Sequence, residues 1–251
     1  MTRKTITGGK KLREVIALLS VEFILVFISF FAAISILIMM IRLVFYHKSE
    51  AFDQHVFDFL SHYISEDNTD VMQFFTFLGS HKFLVPAFIL FLTYYFFVRK
   101  NTWYFIKIAV IALFNLGLMF SLKFFFNRQR PLIPLLKEVP GLSFPSGHAF
   151  MSLTFFGLLI YVIYRDVSNK WIKWITICLL VVVILAVGLS RVYLRVHYAS
   201  DVIAGYCFGL SSLLILLWLL KLIERYNARK IPRKLNVTGV NEAMHAVKKA
   251  I

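Results

Sequence analysis

The sequence predicts an all-α fold, a polytopic membrane bundle of six transmembrane helices. Hydrophobic residues make up 59% of the 251 residues and the mean hydropathy is +0.75, whereas soluble domains are about 45–50% apolar. The apolar residues fall in runs near the roughly 20 residues that cross a bilayer core. Both observations favour a membrane bundle over the alternative, a soluble helical protein with long core helices.

The six predicted spans follow one another along the chain, joined by polar segments. They cover about residues 23–45, 83–98, 103–122, 149–164, 174–189 and 199–220. We predict a basic N-terminal segment at 1–20, a six-span membrane domain at 21–222 and a basic tail at 223–251.

Two segments outside the spans have helical patterns of their own. The connection 46–80 is acidic, and its pattern from Phe52 to Tyr63 indicates an amphipathic helix lying at the membrane surface. At the other end of the chain, residues 240–251 carry apolar side chains at helical spacing. This terminal pattern fits either a short amphipathic helix or an irregular end.

The distribution of basic residues predicts how the chain is oriented. The formal net charge is +15, but the lysines and arginines cluster at the chain ends and beside the spans, as membrane topology requires, and we predict no nucleic-acid partner. Six spans put both termini on one side with the basic turns at Arg99 and Arg165, and the positive-inside rule makes that side the cytoplasm. The segments 46–80, 123–148 and 190–198 then lie outside.

The first candidate motif is Phe144-Pro145-Ser146-Gly147-His148, just before the fourth span. Proline and serine at this place indicate a helix start, where free N–H groups and the positive dipole end suit a phosphate. Gly147 permits close backbone approach, Ser146 adds a hydroxyl donor, and His148 in the first turn could protonate a leaving oxygen. The alternative is an ordinary capped helix with an interfacial histidine.

The second candidate motif runs from Ser190-Arg191 to His197 and Asp201. His197 and Asp201 are four residues apart, so on a helix they share one face. A carboxylate there can hold one ring nitrogen and leave the other free to attack an electrophile. The alternative is a structural aspartate paired with Arg191 or Arg195.

The third candidate motif places Lys123 at the end of the third span and Arg130-Pro131 shortly after it. Lysines and arginines at this depth are commonly membrane anchors. Together with Arg191, however, Lys123 and Arg130 could neutralise a phosphoryl group, and arginine does so with paired donors.

All three motifs fall on the predicted outer side. They supply three cations, a helix N-terminus and two histidines, which is what phosphoryl transfer by positioning and charge stabilisation needs. The sequence offers no carboxylate cluster for Mg²⁺ and no Cys/His set for Zn²⁺. We therefore predict a metal-independent enzyme without a cofactor.

In order and spacing, the motifs resemble the three-part signature of the type 2 phosphatidic acid phosphatase (PAP2) family, which vanadium haloperoxidases and glucose-6-phosphatases share. The resemblance covers about residues 80–222. It consists of Lys123 with Arg130-Pro131, then 145–148, then Ser190-Arg191 with His197 and Asp201.

The resemblance implies roles for individual residues. His197 would attack phosphorus and form a phosphohistidine, Asp201 would orient His197, and His148 would protonate the leaving group. The phosphoryl oxygens would be held by Lys123, Arg130, Ser146, Gly147 and Arg191. Arg128 and Arg195 lie outside the signature and are candidate contacts for a lipid headgroup.

The function that we expect is a lipid phosphate or diphosphate phosphatase at the outer face of a bacterial inner membrane, with the bilayer and a lipid phosphate as partners. Candidate substrates are phosphatidic acid, phosphatidylglycerol phosphate, undecaprenyl diphosphate and lipid A phosphate. A phosphotransferase is the alternative. A haloperoxidase is disfavoured because those relatives are soluble, and a transporter or non-catalytic protein because His148, His197 and Asp201 are intact. The sequence leaves the oligomeric state open.

Overall fold

The computed structural model describes residues 24–136 and 140–250, and of residues 228–250 it describes the helical backbone alone. Within these residues the chain forms eight helices and no strand. They are α1 Ile24–Tyr46, α2 Ala51–Ser61, α3 Glu66–Leu78, α4 His81–Val98, α5 Thr102–Phe126, α6 Gly147–Asp166, α7 Lys170–Tyr193 and α8 Ala199–Ala250.

Six of these helices are long and apolar enough to cross a membrane: α1, α4, α5, α6, α7 and the first part of α8, Ala199–Asn227. The predicted six-span helical fold is thereby confirmed. The third span continues to Phe126, so Lys123 lies within the last turns of a helix. The predicted segment 1–20 lies outside the described residues.

Polar residues at the span ends explain why the helices begin and end where they do. The side chain of Asn101 accepts a hydrogen bond from the backbone N–H of Tyr104 at the start of α5, and Asn169 does the same for α7. At the other end of α5, Asn127 adopts a left-handed conformation with φ of 45°, which asparagine tolerates better than most residues. These caps fix the points at which the helices of the two spans begin or end.

Helix α6 lies at the centre of the bundle, where it contacts α4, α5, α7 and α8. Its Phe155 packs edge-on against Phe88 of α4, with ring centroids 4.7 Å apart. Helix α5 exposes Leu113, Phe120 and Phe124 on the surface that points away from the bundle. Exposed apolar side chains are expected on the side of a span that faces lipid.

The close approach of α6 and α8 depends on two glycines of α8. A Cβ added at Gly205 would lie 2.7 Å from the carbonyl oxygen of Ser146, and one at Gly209 would lie 3.0 Å from that of Phe150. Small residues let membrane helices come this close. The start of α6 is therefore held directly against the first turns of α8.

The connection between α1 and α4 holds two helices where the sequence predicted one. Helix α2 packs against α7 and α8, and its Phe57 joins a buried cluster with Val192 and Val202. Helix α3 packs along α7. Both helices therefore cover the spans at one end of the bundle.

The C-terminal part of the chain continues α8 to Ala250. Of the two alternatives for residues 240–251, the structure has a helical backbone over the described residues 240–250. This helix crosses the predicted domain boundary at 222 without a break, and the division into three regions stays a prediction.

We expect Gly205→Ala to destabilise the bundle, because the new methyl group would collide with the backbone of Ser146. Overpacking of this kind costs about 1–3 kcal/mol. The melting temperature of the detergent-solubilised protein measures the effect.

Gly117→Ala is the matched control, since a Cβ at Gly117 would meet no atom within 4 Å in the described part of the chain. It should be neutral or raise stability by up to about 1 kcal/mol. Equal melting temperatures for the two variants would contradict the close contact.

Candidate active site

Three chain segments meet at one end of the bundle, and backbone hydrogen bonds join them. The N–H of Ser146 donates to the carbonyl of Asp201 at 3.0 Å, and the N–H of Ser143 donates to the carbonyl of Arg128 at 2.8 Å. The end of α5, the start of α6 and the start of α8 are thereby brought to one place.

Two of the predicted phosphate-binding cations are held by backbone carbonyl groups. The Nζ of Lys123 donates to Leu142 O at 2.6 Å. Arg130 donates from Nε to Gly141 O at 3.0 Å and from Nη1 to Val196 O at 2.7 Å. These neutral acceptors orient both side chains without cancelling their charge.

The third cation, Arg191, is held by a residue that the sequence did not single out. Its Nη1 donates to Thr76 Oγ1 of α3 at 2.9 Å, and Thr76 Oγ1 lies 2.8 Å from Ser190 Oγ. Arg191 is only 4% exposed. Its buried Nε–H has no hydrogen-bond acceptor among the described residues, so one donor is left for a ligand.

The start of α6 faces these cations. Ser146 caps the helix by accepting from the N–H of Ala149 at 3.5 Å, which leaves its hydroxyl hydrogen free to donate. A Cβ at Gly147 would lie 3.6 Å from Cε of Lys123, so lysine and helix end are adjacent.

His148 is the second residue of α6 and is covered by the turn between α3 and α4. A Cβ at Gly79 in this turn would lie 3.3 Å from Cδ2 of His148 and would collide with Val187. The charges of Lys123, Arg130 and Arg191 act on His148. All eight predicted site residues are thus close together in the structure.

His197 and Asp201 face each other, although not in the way that their spacing predicted. His197 precedes α8, which begins at Ala199, so the two residues do not share one helix face. The Nδ1 of His197 lies 3.6 Å from Oδ2 of Asp201, beyond hydrogen-bond distance. Ser143 lies between them.

Ser143 determines the tautomer of His197. Its hydroxyl donates to Asp201 Oδ2, so its oxygen accepts from His197 Nδ1 at 3.3 Å. With the hydrogen on Nδ1, Nε2 carries the lone pair and accepts from Nη1 of Arg130 at 3.2 Å.

Asp201 pairs with Arg128, and this corrects two sequence-based alternatives. Arg128 Nη1 donates to Asp201 Oδ1 at 2.6 Å, and its Nη2 donates to Asp53 Oδ2 at 2.9 Å. Asp201 is therefore not paired with Arg191 or Arg195, and Arg128 is engaged by carboxylates instead of being free for a headgroup. The guanidinium of Arg195 lies 6.0 Å from the Phe57 ring, and its headgroup contact stays a prediction.

Burial decides the charge state of His197. It lowers the pKa of His197 to about 3, an effect that Asp201 opposes and that the charges of Arg130 and Arg191 strengthen. Burial also lowers the pKa of Arg130. For Arg128, burial is outweighed by Asp201 and Asp53, and its pKa is raised.

Sequence reasoning missed three residues that hold the site: Asp53, Thr76 and Ser143. A signal existed for Asp53, because it lies one turn before Phe57 on the buried face of an amphipathic helix, where a carboxylate is unexpected. Among the described residues there is no group of three or more His, Cys, Asp or Glu that could hold a metal ion. Metal independence stays a prediction.

Comparison with known proteins identifies the family. Residues 103–225 match the PAP2 superfamily. The chain is 33% identical over 143 residues to phosphatidylglycerophosphatase B of Bacillus subtilis. The aligned residues cover 56% of this chain and 70% of that protein. It is 31% identical over 102 residues to the bacitracin transport permease protein BcrC of Bacillus licheniformis, 37% of this chain and 45% of the relative.

Two crystal structures have a similar fold. A transmembrane PAP2-type phosphatidylglycerolphosphate phosphatase from Bacillus subtilis gives a TM-score of 0.69 at 24% identity, covering 79% of this chain and 96% of that one. Aquifex aeolicus LpxE gives 0.53 at 26% identity, covering 66% and 95%. The chain belongs to the PAP2 superfamily. It is an integral membrane phosphatase, a phosphoric monoester hydrolase.

We expect Thr76→Val to weaken the binding of inorganic phosphate, because it removes the acceptor that orients Arg191. A hydrogen bond to a charged group contributes about 1.5–3 kcal/mol, so the inhibition constant for phosphate should rise by roughly tenfold or more. Thr76→Ser keeps the hydroxyl and is the control. Equal inhibition constants for the valine and serine variants would contradict this role of Thr76.

We also expect His197 to stay neutral in acid. A folded-state pKa near 3 lies below the ordinary histidine value of about 6.5. The folded protein should therefore keep the His197 ring unprotonated at every pH between these two values. In ¹⁵N-histidine-labelled protein, the resonances that disappear in His197→Ala should keep neutral-imidazole shifts down to about pH 4. Titration of these resonances near pH 6.5 would show that the ring is not shielded.

Proposed function

We propose that this phosphatase hydrolyses lipid phosphates or lipid diphosphates by way of a phosphohistidine on His197. The observation that carries the proposal is the arrangement of the His197 ring. Its Nδ1 hydrogen is held by Ser143, and its Nε2 lone pair points into a group of cations. A buried neutral imidazole held in this way is a nucleophile.

The cations and the N-terminus of α6 would bind the phosphoryl group. Lys123, Arg130 and the unpaired Nε–H of Arg191 supply charge, and Ser146 and the N–H of Gly147 supply neutral donors. In phosphoryl transfer, the negative charge on the transferred oxygens is the feature that an enzyme stabilises.

The reaction has two steps. A bond forms between His197 Nε2 and phosphorus while the bond from phosphorus to the lipid oxygen breaks, and the electron pair leaves with that oxygen. Protonated His148, favoured by the arriving dianion, donates its proton to the leaving group. A water then attacks phosphorus, His148 accepts the proton of the water, and the phosphorus–nitrogen bond breaks to release inorganic phosphate.

The lipid class is proposed from the relatives and the position of the site. A relative that is 33% identical over 143 residues is named phosphatidylglycerophosphatase B. The candidate site lies at the ends of spans, where a lipid phosphate group would be. Phosphatidylglycerol phosphate is therefore the first substrate to test, followed by phosphatidic acid, undecaprenyl diphosphate and lipid A phosphate.

The orientation is likewise a proposal. The lysines and arginines of the chain ends and of the turns at Arg99 and Arg165 support a cytoplasmic location for the opposite end of the bundle. The site would then face outward, in a bacterium the periplasmic or outer side of the inner membrane.

We expect the purified protein to release inorganic phosphate from one of these lipids in excess EDTA with no added acceptor. His197→Ala should reduce the rate by about 10³-fold or more, and Asp201→Asn should reduce it less. His62→Ala is the control, because this histidine is exposed and, among the described residues, its ring is bonded to the backbone carbonyl of Asp58 at the end of α2.

Each part of the proposal can be refuted by a different experimental result. Activity that disappears with EDTA and returns with Mg²⁺ would refute the metal-free reaction. Phosphate transfer that requires a lipid or sugar acceptor would favour the phosphotransferase. Full activity of His197→Ala would exclude His197 as the nucleophile, and activity only in sealed inverted vesicles would reverse the proposed orientation.

A further inference from the structure

Asp53 of α2 is a buried carboxylate outside the part of the chain that matches the family, which is residues 103–225. It is only 2% exposed. Its Oδ1 accepts from the backbone N–H of Ser200 at 2.8 Å, and its Oδ2 accepts from the Ser200 hydroxyl at 2.7 Å. Burying a carboxylate is costly unless it is paired and hydrogen-bonded, and here its partners lie beside the candidate nucleophile.

The partner that carries the opposite charge is Arg128. Its two terminal nitrogens divide between two carboxylates, Nη2 to Asp53 and Nη1 to Asp201. Nη1 also donates to the Ser200 hydroxyl at 2.8 Å, and the guanidinium stacks on the Tyr198 ring at 4.0 Å. The guanidinium of arginine is planar and rigid, so its donors point in fixed directions. Because Asp53 holds Nη2, it also determines the direction in which Nη1 points toward Asp201.

The other carboxylate oxygen of Asp201, Oδ2, is connected to His197 through hydrogen bonds. Asp201 Oδ2 accepts from the Ser143 hydroxyl and from the backbone N–H of Tyr198 at 3.0 Å. Ser143 in turn accepts from His197 Nδ1. A rotation of the Asp201 carboxylate would therefore break the contact that fixes the His197 tautomer.

We propose that Asp53 is a positioning residue for the phosphatase reaction, acting on His197 through Arg128, Asp201 and Ser143. The surface helix α2 is then a part of the catalytic apparatus. The proposal rests on the proposed function in that it takes His197 as the nucleophile and Asp201 as the residue that orients it.

The charge of Asp53 is what the role requires. Asparagine at this position would keep an acceptor for the N–H of Ser200, but would present Arg128 with a neutral group. Arg128 would then be a cation with one carboxylate partner, close to a site that receives an anion. The carboxylate of Asp53 keeps the guanidinium away from the substrate and fixed on Asp201.

The test is a mutant cycle of four proteins: wild type, Asp53→Asn, Asp201→Asn and the double variant, each assayed with the best lipid phosphate. Because Asp53 contacts no substrate, Asp53→Asn should lower kcat by about tenfold and change KM by less than about twofold. In the Asp201→Asn background the same change should lower kcat by less than about twofold, since residues that act as a unit are not additive.

The cycle separates positioning from folding. A merely structural role would lower the folded fraction, and hence kcat, by the same factor in both backgrounds, and that result would overturn the proposal. Asp58→Asn is the control, since Asp58 is exposed on the same helix, and it should leave kcat unchanged. A loss for Asp53→Asn no larger than for this control would also overturn it.

A second variant covers the case in which Asp53→Asn does not fold. Arg128→Lys keeps the positive charge but removes the planar group that bonds two carboxylates at once. In the wild-type background it should lower kcat as Asp53→Asn does. In the Asp201→Asn background it should lower kcat by less than about twofold. Equal losses in the two backgrounds would overturn the proposal. Failure of the proposed function itself would be seen separately, as full activity of the His197→Ala variant.

Discussion

The contact between the backbones of α6 and α8 is the constraint on which the site depends. Gly205 lies against the carbonyl of Ser146, and the N–H of Ser146 bonds to the carbonyl of Asp201. A helix start that can receive an anion is therefore held beside the residues that carry the candidate nucleophile. Side chains larger than glycine at this crossing would separate two halves of the site that come from different spans.

Like charges are gathered at this end of the bundle, and the structure stabilises them in two different ways. Lys123, Arg130 and Arg191 are bonded to carbonyl and hydroxyl oxygens, so their charge remains for a ligand. Arg128 is bonded to two carboxylates, so its charge is neutralised within the protein. Four cations close together thus divide into three that can bind an anion and one that organises the site.

Much of this arrangement could be predicted from the sequence, because the signals were local. Run length and hydropathy predicted six spans, and the motif spacing predicted which residues would meet. The supports of the site were not predictable in this way. Asp53 meets Arg128 across 75 residues of sequence, and Thr76 meets Arg191 across 115. Pairings of this kind are determined by how the surface helices pack, and no local periodicity encodes that packing.

The contact between Arg130 and the Nε2 of His197 has a consequence for the proposed reaction. The lone pair that would attack phosphorus accepts a hydrogen bond from a guanidinium group. A phosphoryl group would attract that same guanidinium through its negative charge and so free the ring nitrogen. The proposed reaction would therefore favour ligands that carry negative charge, because a neutral electrophile would not draw Arg130 away from Nε2.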